Sequence, residues 1–82
     1  MSAELLAAIG ANSRKMREAS GASQEGFARA AGMDRAYLGK IERGTQNVSI
    51  LTAARIAVAL RVSLSTLFEG TPCPEQPDSA AD

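Results

Sequence analysis

The sequence has 82 residues, with 9 Lys plus Arg against 9 Asp plus Glu, 45% hydrophobic residues, one Cys, no Trp and no His, which fits one small folded domain and leaves no room for a second. With no His and only Cys73, the chain has no ligand set for zinc or haem, no Cys-His dyad, no Ser-His-Asp triad and no internal disulfide. The start MSAELLAAIG lacks a basic n-region and a spanning apolar run, so the expectation is a cytoplasmic protein with no cofactor and no membrane partner.

From Ala3 to about Ala19 there is no Pro and almost no β-branched residue, and Leu5, Ile9 and Met16 recur at helical spacing. That predicts helix one, closed by Gly21 as a left-handed cap although Gly10 weakens its interior. Ser23 suits the N-cap of a second helix, Gln24 to Ala31, with Glu25 in its positive first turn. The segment AAGMD leads through one glycine to Asp34, the natural N-cap of helix three. From Arg35 to Arg43 only Leu38 and Ile41 share an apolar side, which with Met33 predicts an inward face and leaves the rest outward. Gly44 stops that helix and TQN makes a loop. Ser49 caps helix four, whose inward residues are read as Ile50, Ala53, Ala54, Ile56, Ala57 and Leu60. Ser63 caps a short fifth helix through Leu64, Leu67 and Phe68, and Gly70 ends the domain. No run alternates like a strand and no repeat is visible, so the fold class is all-α with five helices, a domain over residues 1–70. The remainder, TPCPEQPDSAAD at 71–82, is acidic and Pro-rich with no apolar face, and is expected to be disordered. Cys73 lies between two of its prolines and is read as incidental.

Charge is unevenly placed. All nine cations lie between Asn12 and Arg61, where only Glu18, Glu25, Asp34 and Glu42 oppose them, leaving +5 in the centre and −5 at the ends. Such a distribution fits either a polyanion-binding face or ordinary solvated helices.

Two short helices joined by a Gly-containing turn, the second with a free outer face, form the pattern of a helix-turn-helix, although any αα-hairpin shares that outline. The joint spacing of Ser23-Gln24-Glu25, Phe27-Ala28, Ala31-Gly32, Tyr37-Leu38, Ile41-Glu42-Arg43-Gly44, Ser49, Thr52, Ile56-Ala57, Ala59-Leu60 and Val62-Ser63 narrows the choice. From about Ile9 to Phe68 the sequence resembles the Cro/cI-type (xenobiotic-response-element-type) helix-turn-helix regulators. Within that family, Asp34-Arg35-x-Tyr37-Leu38-x-x-Ile41-Glu42-Arg43 followed by Asn47 looks most like the controller proteins of restriction-modification systems. It departs from the family pattern at Ser13 and Ala22, where larger apolar residues are usual, and at Gly26 and Gly39 within helices.

The resemblance implies a compact Cro/cI-repressor-like domain that binds double-stranded DNA, and the chemistry of the residues suggests roles. Residues 35, 36, 39, 40 and 43 share the outer face of helix three, which suits the major groove. Arg35 can pair bidentately with guanine, Ala36 can offer a methyl to thymine, and Gly39 would admit a close approach. Lys40 suits guanine or a phosphate. Tyr37 suits a phosphate, a base edge or a half-buried packing site. Gln24, at the amide-rich start of helix two, is assigned to a phosphate, a role the resemblance also implies. Arg43, Thr45, Gln46 and Asn47 are assigned to the DNA backbone, with Arg43 alternatively a cation favoured at a helix C-terminus. The resemblance further implies a largely buried structural ion pair between Arg17 and Glu42. One unit reads only a few base pairs, so a homodimer is expected, with an interface around Val62, Leu64, Ser65, Leu67 and Phe68 unless Leu67 and Phe68 are simply core.

The expected function is therefore sequence-specific regulation of transcription at a pseudo-palindromic operator, by repression or by activation through RNA polymerase. With no ligand domain following, control is expected to rest on protein concentration and on assembly of dimers, or dimers of dimers, on DNA. The competing expectation is an antitoxin or other interaction module whose tail binds a partner protein. Scattered Ser, Asp and Glu without His or a phosphate-cradling Gly loop give no catalytic constellation, so no enzyme is expected.

Overall fold

The computed structural model describes residues 3–73, which form five helices and, among the described residues, no strand. They are α1 (Ala3–Ala19), α2 (Gln24–Ala31), α3 (Arg35–Glu42), α4 (Ile50–Leu60) and α5 (Leu64–Leu67). Four of the starts use one device. Ser23, Asp34, Ser49 and Ser63 stand in extended backbone and accept the N–H of Gly26, Tyr37, Thr52 and Thr66 at 3.0, 2.8, 3.0 and 3.1 Å. Each satisfies an amide with no partner in its own helix, a contribution of about 1 kcal/mol apiece. Arg43, read as the last helical residue, is instead the C-cap of α3.

The core is sealed by Leu38, Ile41, Ile56 and Leu67, with Phe27, Ala28, Ala53 and Ala57 around them. Leu67 is 0% exposed, so its assignment to a subunit interface is corrected: it packs inside the domain and cannot meet a partner. Val62, Leu64 and Phe68 are half-buried and Ser65 is exposed.

Helix α1 departs from its apolar spacing. Its buried stripe is Leu6, Ile9, Gly10, Ser13 and Arg17, while Leu5 and Met16 are half-buried. The cause is its close approach to the end of α3. A Cβ at Gly10 would collide with the Ile41 carbonyl oxygen and lie 2.9 Å from that of Glu42. Gly44 (φ +76°) also approaches α1 closely: a Cβ there would be 2.7 Å from the Ala7 Cα. At such a seam small residues replace large ones, and the Ser13 hydroxyl is satisfied by donating to Ile9 O at 2.9 Å. Asn12 fastens the end of α5 to α1, its Nδ2 donating to Leu67 O (2.9 Å) and Glu69 O (3.0 Å).

Cys73 is exposed. The acidic tail expected over 71–82 lies, from residue 74 onward, outside the described residues. Among the described residues no helix is long and apolar enough to cross a membrane.

Candidate nucleic-acid interface

The turn between α2 and α3 is built from Gly32, in the left-handed region at φ +75°, whose N–H closes α2 on Ala28 O and Arg29 O. Met33 N–H follows onto Ala28 O at 2.9 Å, and Asp34 then caps α3. With Leu38 and Ile41 sunk in the core beside Phe27 and Ala28, the rotation of α3 is fixed. Its outer side carries Arg35, Ala36 and Lys40, all exposed, with Arg43 exposed at its end.

Tyr37 and Gly39 are less open than these four residues. Tyr37 is half-buried and packs against the core, which meets the packing role while leaving part of the ring outside. Gly39 is buried; where its side chain would project lies the Arg43 guanidinium, whose Nη1 would be 3.2 Å from an added Cβ. Gly39 is thus corrected from bare surface to a site covered by Arg43.

Beneath the face lies a chain of charge-assisted hydrogen bonds. Arg17 Nε donates to Glu42 Oε2 at 2.7 Å and Nη2 to Oε1 at 3.1 Å, while Nη1 donates to Ala22 O at 2.9 Å. The resemblance implied a largely buried ion pair here; the pair is bidentate, with Glu42's side chain 2% and Arg17's 9% exposed. Burial alone would push the Glu42 carboxyl up. Hydrogen bonds from Arg17 and Gln24, with the positive charges of Arg17 and Arg14, outweigh it and hold the group below its ordinary value. The hydrogen bond to Glu42 likewise raises Arg17 above its ordinary value, against burial. No buried side-chain nitrogen or oxygen among the described residues lacks a partner, which is the condition for such a pair to be tolerated.

Gln24 joins this pair to the surface. Its Nε2 donates to Glu42 Oε1 at 2.9 Å, and its Oε1 accepts from Arg35 Nη1 at 3.3 Å. The carboxylate thereby orients the amide, and the amide holds the first side chain of α3. After α3, Thr45 folds back with its hydroxyl donating to Lys40 O at 3.2 Å; Gln46 is half-buried and Asn47 exposed. Sequence reasoning missed the large apolar residues left outside on α4: Ile50 at 68%, Leu51 at 63% and Val58 at 76% exposure. Leu51 and Val58 line a shallow groove with Ala30, Ala31, Ala54 and Arg55. The helix reads ILTAARIAVAL, apolar on nearly every side, so periodicity carries little signal for which side faces in.

Comparison with known proteins agrees with this geometry. The helix-turn-helix family HTH_3 matches residues 14–67. The control protein C.MunI from Mycoplasma is 41% identical over 56 residues, 67% of this chain and 76% of that protein. The crystal structure of the restriction-modification controller protein C.AhdI from Aeromonas hydrophila superposes with a TM-score of 0.74 at 40% identity, covering 76% of this chain and 94% of that one. The clp gene regulator ClgR from C. glutamicum gives 0.74 at 32% identity, covering 77% and 82%. These relatives are a control protein, a restriction-modification controller protein and a gene regulator. The chain therefore belongs to the helix-turn-helix family HTH_3, as a transcription regulator with the DNA-binding fold of the controller proteins.

Proposed function

We propose that the protein binds a pseudo-palindromic operator as a homodimer, with α3 of each subunit in the major groove. The observation that carries this reading is the division of α3. Arg35, Lys40 and Arg43 stand exposed without a carboxylate partner among the described residues, while Leu38, Ile41 and Glu42 fix the helix from behind. A helix presenting cationic donors that no carboxylate neutralises suits the wide groove, where each base pair offers a distinct pattern. Arg35 is the reader of a guanine, Ala36 and Tyr37 make apolar or edge contacts, and Lys40 adds a donor. Thr45, Gln46, Asn47 and the amide-rich start of α2 grip the backbone. Gln24 orients Arg35 as well as facing the backbone.

Dimerisation is supported by the apolar area left outside on Ile50, Leu51 and Val58, together with the half-buried Leu64 and Phe68. Binding then controls promoter access, a regulatory role supported by the similarity to control proteins and a gene regulator. Selection of duplexes from a random library by the purified protein, at about physiological salt, tests the proposal. It predicts a pseudo-palindrome with half-sites about one turn, ~34 to 36 Å, apart. Salt-sensitive binding without sequence preference, or no binding, would overturn it.

A further inference from the structure

Gly39 occupies the middle of the outer face of α3, three residues after Ala36 and four before Arg43. Glycine inside a helix is destabilising relative to alanine, so its presence calls for a reason of space. A helical side chain covers the surface over the turn before its own Cα, and Arg43 does so here. An added Cβ at residue 39 would lie 3.2 Å from Arg43 Nη1 and 4.0 Å from its Cζ; outside α3's own backbone and the adjoining residues, nothing else among the described residues lies within 4 Å.

The guanidinium therefore runs back about one turn from the helix end, onto the face shared by Ala36 and Lys40. A cation serving only the helix dipole would stay with the last carbonyls, and one gripping only a phosphate would sit at the flank. Arg43 is exposed and has no carboxylate within reach among the described residues, so its donors remain free. We propose that Arg43 is a specificity-determining residue, which reads a guanine O6 and N7 edge from the room that Gly39 leaves on the recognition surface. The proposal rests on α3 being the helix that enters the groove.

The test is quantitative binding to the selected operator and to all its single-base variants, for the wild type and for Arg43→Ala, Arg43→Lys and Gly39→Ala. Arg43→Ala should lose about tenfold or more of discrimination at one base position per half-site and little elsewhere. Arg43→Lys, which keeps the charge but not the planar fork, should lose the same discrimination. Gly39→Ala should keep or raise the thermal midpoint and yet lose discrimination at the same position, because the new methyl displaces the guanidinium. Uniform weakening of Arg43→Ala on all sequences with a shallower salt dependence, or full discrimination in Arg43→Ala, would make Arg43 a backbone contact and leave the proposed function standing. Unchanged discrimination in Gly39→Ala would remove Gly39 from the account. A wild type without any sequence preference would overturn both readings.

Discussion

The two sides of α3 obey different rules although they share eight residues. The inner side is closed to change: Leu38 and Ile41 are 0% and 1% exposed, Glu42 is locked to Arg17, and the backbone of Ile41 and Glu42 leaves no room for a Cβ at Gly10. The outer side holds Arg35, Ala36 and Lys40 in the open, and its one buried position is covered by a flexible arginine. Stability and surface chemistry are thus carried by separate residues of one short helix, so the surface can be rewritten without unfolding the domain. Gln24 is the exception, since it touches both Glu42 and Arg35.

The largest effect that could break this division belongs to the ion pair. Arg17→Ala or Glu42→Ala leaves a buried charge unpaired and should cost about 3 to 5 kcal/mol. In thermal unfolding followed by circular dichroism, a loss of only a few degrees would show that the seam does not depend on the pair. The same carboxyl gives a pH signature. Because Glu42 is held below its ordinary value of 4.5, its contribution is complete above that value and is lost as the pH falls through the lower folded one. The thermal midpoint should therefore fall on acidification below about pH 4.5, and the part of that fall due to this group should be absent in Glu42→Gln.

Next in size is a contrast between glycines. Gly10→Ala improves helix propensity by about 1 kcal/mol but drives a methyl into two carbonyls of α3, and should be net destabilising by about 1 to 3 kcal/mol. Gly39→Ala meets only the far end of a flexible side chain and should be neutral or stabilising by up to about 1 kcal/mol. Equal midpoints for the two variants would erase the distinction between the faces. Smallest in stability is Arg35→Ala, expected within about 0.5 kcal/mol of the wild type while losing ~1 to 3 kcal/mol of discrimination at one base pair. A folding defect in that variant would mean that the bond to Gln24 supports the core as well as the surface.

Much of the fold was legible because its boundaries are written in local chemistry. Ser23, Asp34, Ser49 and Ser63 are cap residues by type, and all four cap. The inner side of α3 was legible for a similar reason, having only two apolar residues to place. The seam of α1 was not, because hydrophobic spacing has no vocabulary for a buried face made of glycine, serine and arginine. Nor was the orientation of α4, whose composition is apolar on most sides, so that Ile50 was counted inward and stands 68% exposed. Within the candidate site, the residue types were readable but their mutual contacts were not: that Arg43 covers Gly39 depends on a rotamer, and that Gln24 reaches Glu42 depends on how α2 and α3 meet.

Asn12 carries one further consequence. Helix α5 has four residues, far fewer than a helix needs to persist by itself, and so short a segment would ordinarily open and close independently of the rest. Yet its Leu67 is completely enclosed, and Asn12, 55 and 57 residues earlier, holds the carbonyls of Leu67 and Glu69. Shedding α5 therefore means unfastening α1 as well. The Leu67 amide, bonded to Ser63 O, should exchange with solvent deuterium as slowly as the amides in the middle of α4, because it is released only when the whole domain opens.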